Sequence, residues 1–442
     1  MWLRFSFVSV LRPRILLLLL AAGMSTGLAG DLPPELLLLS RFKQKVRQDI
    51  GRLANCICIE TIERSVREPG SNSFLFLDRV RLEVTTAGKK ELLTWPGGAR
   101  FEEWAVSSFV KSGLVASGMF ASYVRNLFLS DSATFQYVGP EELEGQRTVH
   151  YDFRVPLFAS AYRLRSANGA ASVATKGSFW FDAGSLQLVR LDEFAEDIPA
   201  ELGLTGALTR IQYGRMPDAV PDVLPHSAEI ELRHSSGEVR RNKIGFAQCR
   251  EYRAESSINF DSPGPTPDAS HAEPGRMDIP SGLKIKLELE TGFDAATAAI
   301  GDSVRARVVE DVRRSGKPIL PKGAIATGRI RIMERQARAG GFFLGIELTG
   351  MRWENSRAEF HADLLEANTG AQIKQMRGPQ TGSGNVVPLS GSGPSMEAPL
   401  PERSGTLGHP RSRIPGVGVL FVQGESWSVA PGLRMVWRTL TP

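Results

Sequence analysis

Val173-Ala-Thr-Lys-Gly-Ser-Phe-Trp-Phe181, Asp182-Ala-Gly184 and Leu186-Gln-Leu-Val-Arg-Leu-Asp-Glu193 are the stretch on which the fold turns. Two segments rich in β-branched and aromatic residues flank a tight turn tripeptide. A link that short has no room for a crossover helix, so the two strands must run antiparallel. The same arrangement repeats outward. Ser235-Ser-Gly237 joins Ser227 to His234 with Glu238 to Arg253, and Glu255 to Phe260 follows. Phe135 to Val138, Thr148 to Val155, Ala161 to Arg165 and Ala207 to Tyr213 are further strand candidates. Upstream lie Asn55 to Arg64, Phe74 to Val84 and the turn Thr94-Trp-Pro-Gly-Gly98. The expectation is a long antiparallel meander.

A helix precedes it. Leu36, Leu39, Phe42, Val46, Ile50 and Leu53 recur at three- and four-residue spacing, with Arg41, Lys43, Lys45, Arg47 and Gln48 opposite. Pro33 and Pro34 suit its first turn. The stripe reads as a face that packs on the sheet rather than on a membrane surface. Between the early strands and the meander, Phe101 to Leu129 is apolar and punctuated by glycine. Trp104, Phe109, Met119, Phe120, Tyr123 and Phe128 are its ligand-cavity candidates. A strongly curved sheet with such a segment across its mouth can enclose an apolar cavity.

The fold class expected is mainly β with a few helices. An N-terminal curved antiparallel sheet, a half-barrel with a helical cover, spans residues 33–260. Asp261 to Gly275 is proline-rich and aperiodic, so 261–278 reads as a linker. A second all-β domain, a small barrel or sandwich, occupies 279–442. Leu283 to Leu289, Val304 to Val312, Ala324 to Met333, Phe342 to Leu348 and Ala358 to Leu365 are its strands, completed by Val417 to Val422 and Leu433 to Arg438. Residues 368–416 are rich in Gly, Ser and Pro and read as a disordered insertion.

Residues 1–29 have the three regions of a secretory signal peptide in order. Arg4, Arg12 and Arg14 precede the apolar run Ile15 to Leu20, and Gly27-Leu-Ala29 offers a cleavage site. The run is shorter than the roughly 20 apolar residues a spanning helix needs. An exported protein is expected, periplasmic or else extracellular. The chain of 442 residues carries a formal charge of +5, and removing those three arginines leaves 5 − 3 = +2. The remaining charges are mixed in sign, without the basic stripe of a nucleic-acid partner.

An oxidising compartment makes a disulfide the expectation for three cysteines, Cys56, Cys58 and Cys249. Cys56 and Cys58 share one face of a strand, and either could reach Cys249. The third thiol is left as a buried free cysteine, an intermolecular disulfide or part of a Cys-x-Cys metal site, although no nearby His or acid completes a metal set. His150, His226, His234, His271, His361 and His409 lack metal-ligand spacing. There is no Gly-x-Ser-x-Gly elbow, phosphate loop or dinucleotide fingerprint. The acidic neighbours Glu102-Glu103, Glu141-Glu142 and Asp192-Glu193 point to opposite faces of a strand and read as solvated surface. Neither catalysis nor a cofactor is expected.

Helix, meander and inserted cover together resemble the lipoprotein carriers of the outer-membrane lipoprotein-sorting system. Locally, Cys58-Ile-Glu-Thr-Ile-Glu-Arg64, Tyr151-Asp-Phe-Arg-Val155, Gly177-Ser-Phe-Trp-Phe-Asp182 and Asn242-Lys-Ile-Gly-Phe-Ala-Gln-Cys-Arg-Glu-Tyr252 resemble an uncharacterised family of exported bacterial proteins. That resemblance implies a Cys58–Cys249 bond and an unpaired Cys56. In the second domain, Ile279-Pro-Ser-Gly282, Gly301-Asp302, Ile319-Leu-Pro-Lys-Gly323 and Gly328 are similar to the β-domain of conjugative-transfer envelope scaffolds of the TrbI type. No transmembrane anchor like theirs is expected in this chain. The resemblances imply a non-enzymatic envelope protein that binds a lipid or lipidated partner in its curved sheet and docks an envelope component through its second domain. The rival expectation is a scaffold with filled cores.

Overall fold

A computed structural model describes residues 33–53, 56–103, 106–110, 113–215, 224–251, 275–336, 339–368, 373–375, 394–397 and 414–441. The signal-like segment, Trp104 and most of the proline-rich linker lie outside these residues. No helix among them is long and apolar enough to cross a membrane.

The chain is mainly β. Helix α1 (Pro34–Leu53) leads into β1 (Cys56–Arg67), β2 (Leu75–Ala87) and β3 (Lys90–Thr94). The cover follows: a single 3-10 turn at Val106–Ser108, β4 (Val115–Ser117) and helix α2 (Ser122–Phe128). Next come β5 (Thr134–Leu143), β6 (Gln146–Val155), β7 (Arg163–Ser166), β8 (Gly169–Ser172), β9 (Ala174–Asp182), β10 (Leu188–Glu196), β11 (Leu204–Gly214), β12 (Leu224–His234) and β13 (Val239–Glu251). Ten of these strands form one antiparallel sheet in the order β3-β2-β1-β13-β12-β11-β10-β9-β6-β5. The deciding hairpin is β9–β10, with Phe181 opposite Leu188 and Gly177 opposite Glu193. Its turn is held by Asp182, whose carboxylate accepts from the Ser185 and Gly184 amides at 2.7 and 3.1 Å.

Burial alternates as a half-covered sheet requires. Cys58, Glu60, Ile62 and Arg64 of β1 are buried, while Ile59, Thr61 and Glu63 between them are half-buried. Helix α1 lies on the buried face. Phe42 is fully buried, stacked on Phe181 at 4.3 Å and on Phe179 at 5.4 Å. Enclosing a side chain of that size stabilises the fold by about 2 kcal/mol. Leu39, Val46, Ile50 and Leu53 join it, whereas Leu36 departs from the expected stripe and is exposed. The Tyr151 hydroxyl donates to the Glu35 carbonyl at 2.6 Å and fixes the start of the helix.

In the second domain the strands Gly275–Arg276, Ser356–Glu359, Gly341–Trp353, Ile325–Gln336, Ser303–Val308, Lys284–Leu289, Arg434–Thr439 and Ala362–Ala367 follow one another across a sheet, and Val417–Gln423 branches from Gly341–Trp353. The sheet curls until a side chain at Gly418 would touch Leu364 and Trp437, and among the described residues no ladder joins its two ends. The expected small barrel or sandwich is thus a curled sheet in which no closed barrel is seen. Ala358 to Leu365, expected as one strand, divides at the buried Phe360: Ser356–Glu359 pairs with Gly341–Trp353, and Ala362–Ala367 with Arg434–Thr439.

The segment expected to be a disordered insertion, 368–416, contains two strands. Ile373–Gln375 pairs with Val417–Gln423. Ser395–Glu397 enters the first domain, between β4 and β7. Composition missed both because short strands made by distant partners leave no periodicity of their own.

The two domains meet along β2. Val80 bridges Ile300, the Arg81 amide donates to the Ile300 carbonyl, and the Ile300 amide donates to the Arg79 carbonyl, both at 2.8 Å. Arg81 pairs with Asp302. Trp95 lies beneath the guanidinium groups of Arg329 and Arg331, 5.2 and 4.9 Å from its ring. One continuous apolar cluster runs through both domains.

Candidate functional site

The cover spans the buried face of the large sheet and is fastened by polar contacts. The Glu91 carboxylate in β3 accepts from the amides of Gly118, Ala121 and Ser122 at 3.0, 2.8 and 3.0 Å. A carboxylate at the start of α2 meets donors that the helix itself cannot satisfy. Asn242 donates to the Leu114 carbonyl at 2.9 Å. Below, Arg64 and Asp78 form a buried bidentate pair at 2.6 and 2.5 Å. A Cβ at Gly113 would lie 2.7 Å from the Arg64 guanidinium, so the cover can approach it there only with glycine.

Five of the six cavity candidates fall on described residues, and all five are buried. Phe109 meets Trp95 edge-on at 4.7 Å, and Phe120 packs on Phe246 at 5.7 Å. Phe128 contacts Phe42, Phe179 and Phe135 at 5.1, 4.8 and 6.1 Å. Met119 is enclosed in the same cluster. The Tyr123 hydroxyl shares a hydrogen bond with Thr209 at 2.9 Å. Four aromatic rings and one thioether side chain therefore cover the apolar floor.

Polar groups that the sequence did not single out are set into this floor. Glu60 and Glu193 are buried at 4% and 9% exposure. Burial, with the nearby Glu91 charge second, pushes the Glu60 carboxyl up to about 8. Burial pushes the Glu193 carboxyl up to about 7. Tyr123, Tyr162 and Tyr213 have hydroxyls raised chiefly by burial, with the field of Glu193 contributing in all three. The Tyr213 and Thr86 hydroxyls have no hydrogen-bond partner among the described residues. The expectation that Asp192-Glu193 is solvated surface is thus corrected. Asp192 is buried on the opposite face by Arg190 and Arg210, and Glu193 is buried without a cation among the described residues. Hydropathy could not reveal this, because an acid in a strand reads the same whether it meets water, a guanidinium or the cover.

The register assembles a second network on the outer face. His150 stacks on Trp180 at 4.6 Å and contacts Glu141 and Asp152 at 2.9 and 3.2 Å. Ser178 donates to Asp152 at 2.6 Å. The hydroxyl thus faces the carboxylate and not the imidazole, so the trio is not arranged as a serine nucleophile with its base. Cys58 and Cys249 are bonded, with Cys56 buried and 3.8 Å from Cys58.

No family model and no curated protein matches the chain. Among the solved structures that resemble part of it are the following three. A DUF1329 family protein from Desulfovibrio piger is 11% identical, covers 51% of this chain and 96% of its own, and gives a TM-score of 0.29. A LolA superfamily protein from Nitrosomonas europaea is 9% identical, with coverages of 49% and 94% and a TM-score of 0.26. A putative outer-membrane lipoprotein-sorting protein domain from Vibrio parahaemolyticus is 13% identical, with 49% and 93% covered and a TM-score of 0.27. Likeness at this level extends over half the chain and transfers no function.

Proposed function

We propose that this is a non-enzymatic protein of the bacterial envelope, exported to the periplasm, whose first domain holds a lipid or lipidated partner against the buried face of its large sheet. One observation carries the reading. Beside its Arg64–Asp78 pair, a largely apolar face under a fastened cover holds two carboxyls without a cation and hydroxyls without partners among the described residues. Isolated polar groups in an apolar interior cost stability, so a core evolved only to be filled has no use for them. A ligand with an apolar body and a polar head would use both. Binding requires the cover around Phe109, Met119, Phe120, Tyr123 and Phe128 to lift, exchanging ring contacts for acyl contacts at about 25 cal/mol per Å² of apolar surface.

A second reading, a scaffold with a filled core, draws on the near-complete burial of those same side chains. One experiment separates the two. The full chain is purified from the envelope fraction and analysed by native mass spectrometry with lipid extraction, then titrated with a pyrene-labelled phospholipid. The carrier reading expects bound lipid or saturable uptake of the probe. Folded protein that does neither is a scaffold.

A further inference from the structure

The strand Ser395–Glu397 belongs by sequence to the second domain but lies in the first. It runs antiparallel to β4, with Ser395, Met396 and Glu397 opposite Ser117, Ala116 and Val115. It runs parallel to β7, beside Arg163, Leu164 and Arg165. The small sheet has the order β4, this strand, β7, β8, so its two halves are joined only through the visiting strand. Met396 is fully buried, next to a Leu164 that is equally so. The Arg163 amide donates to the Pro394 carbonyl at 3.2 Å, and the hydroxyls of Ser117 and Ser395 are 3.0 Å apart. Gly118 has φ +102°, and a Cβ there would lie 3.1 Å from Pro394 Cα, so larger residues are excluded on both counts.

We propose that the slot between β4 and β7 is an acceptor site for an extended polypeptide. Its resident is the chain's own segment 394–397, and a partner strand carrying an unbranched apolar residue in place of Met396 replaces it. Main-chain pairing supplies the hold and one enclosed side chain the selectivity, as in strand addition to a sheet edge. The resident is a strand of only three residues, covalently joined to the chain at both ends. A tether raises local concentration without strengthening the contact itself. A free strand in sufficient excess therefore displaces it. The slot does not depend on the lipid reading, since it needs no cavity.

The test uses the full chain and a fluorescein-labelled peptide, Gly-Ser-Gly-Pro-Ser-Met-Glu-Ala-Pro-Leu, matching residues 391–400. In a variant with residues 394–397 replaced by Gly-Ser-Gly-Ser, anisotropy should report binding at least about tenfold tighter than to the native chain. The peptide with Asp in place of Met should not bind. Equal binding to both proteins, equal binding of both peptides, or no binding to the folded variant overturns the proposal. A second measurement covers a variant that fails to fold. Ser117→Cys in the otherwise native chain is offered the peptide with Ser395→Cys, activated as its thionitrobenzoate disulfide. In-register docking brings the protein thiolate onto the peptide sulfur, forms the protein–peptide disulfide and releases thionitrobenzoate. The Met-containing peptide should crosslink at least about tenfold faster than the Asp-containing one, and equal rates overturn the slot.

Discussion

Asp192 and Glu193 are neighbours in one strand, and both are buried, yet their surroundings are opposite. On the outer face Asp192 accepts from Arg190 at 2.8 and 2.6 Å and from Arg210 at 3.3 and 3.2 Å. On the inner face Glu193 has a threonine and tyrosines around it and no cation, and its proton is held up to about 7. The inner face has a paired carboxylate too, Asp78 with Arg64, so the unpaired state of Glu60 and Glu193 is not imposed by the face as a whole. A carboxyl buried with a guanidinium acts as structure. A carboxyl buried without one is a group kept neutral, able to donate a hydrogen bond.

The largest effect should come from breaking the inner pair. Asp78→Asn leaves the Arg64 charge, only 3% exposed, without its carboxylate. Removing one partner of a buried ion pair costs about 3–5 kcal/mol, read as a lower urea midpoint. A loss under about 1 kcal/mol would place the pair in effective contact with solvent and weaken the contrast with Glu193.

The unpaired acids make a prediction of opposite sign. Both have folded-state values above their ordinary 4.5, Glu193 at about 7 and Glu60 at about 8. Between pH 4.5 and 8 the folded protein therefore holds protons that the unfolded chain has released. Stability must fall as pH rises through that window and level off above it. Glu193 contributes up to about 3 kcal/mol to the fall and Glu60 up to about 5 kcal/mol. Glu193→Gln should roughly halve the slope below about 7, where Glu60 still contributes, whereas Asp78→Asn should leave the slope in place. Urea melts of the three proteins at several pH values test this. A native chain equally stable at pH 5 and pH 8 would mean that these carboxyls reach water.

Asp192→Asn should cost about 2 kcal/mol, less than the inner pair. Arg210 is one-third exposed and water can take over part of its role. Its effect should also shrink with added salt, and that of Asp78→Asn should not.

The contrast between the faces marks the limit of what the sequence carried. The α1 stripe, the β9–β10 hairpin and most of the meander are local in period or turn chemistry, and they are legible in residues such as Phe42, Leu39 and Asp182-Ala-Gly184. Phe109, Phe120 and Phe128 could be read as cover residues because an apolar, glycine-broken segment stands out from its neighbours. Glu60 and Glu193 could not, because a single acid in an alternating strand looks the same whether its face meets water or a lid. Nor could Ser395–Glu397, whose partners are more than two hundred residues away in β4 and β7. The Cys58–Cys249 pairing was implied by resemblance, and geometry alone had left Cys56 open.

The smallest predicted effect makes the finest distinction, because it compares two tyrosines near Glu193. The Tyr123 hydroxyl has a partner, Thr209, which is itself only 1% exposed. Tyr123→Phe leaves the threonine unsatisfied and should cost about 1 kcal/mol. The Tyr213 hydroxyl has no partner, so Tyr213→Phe should be neutral or slightly stabilising in the ligand-free protein. If the face is a binding site, the second variant should instead lose lipid-probe affinity, because the hydroxyl removed was one left free for the ligand's polar head. Thermal melts and probe titrations of the pair decide between a site and a core. A Tyr213→Phe chain that is less stable than the native one, with probe binding unaltered, assigns that hydroxyl to the fold and removes it from the site.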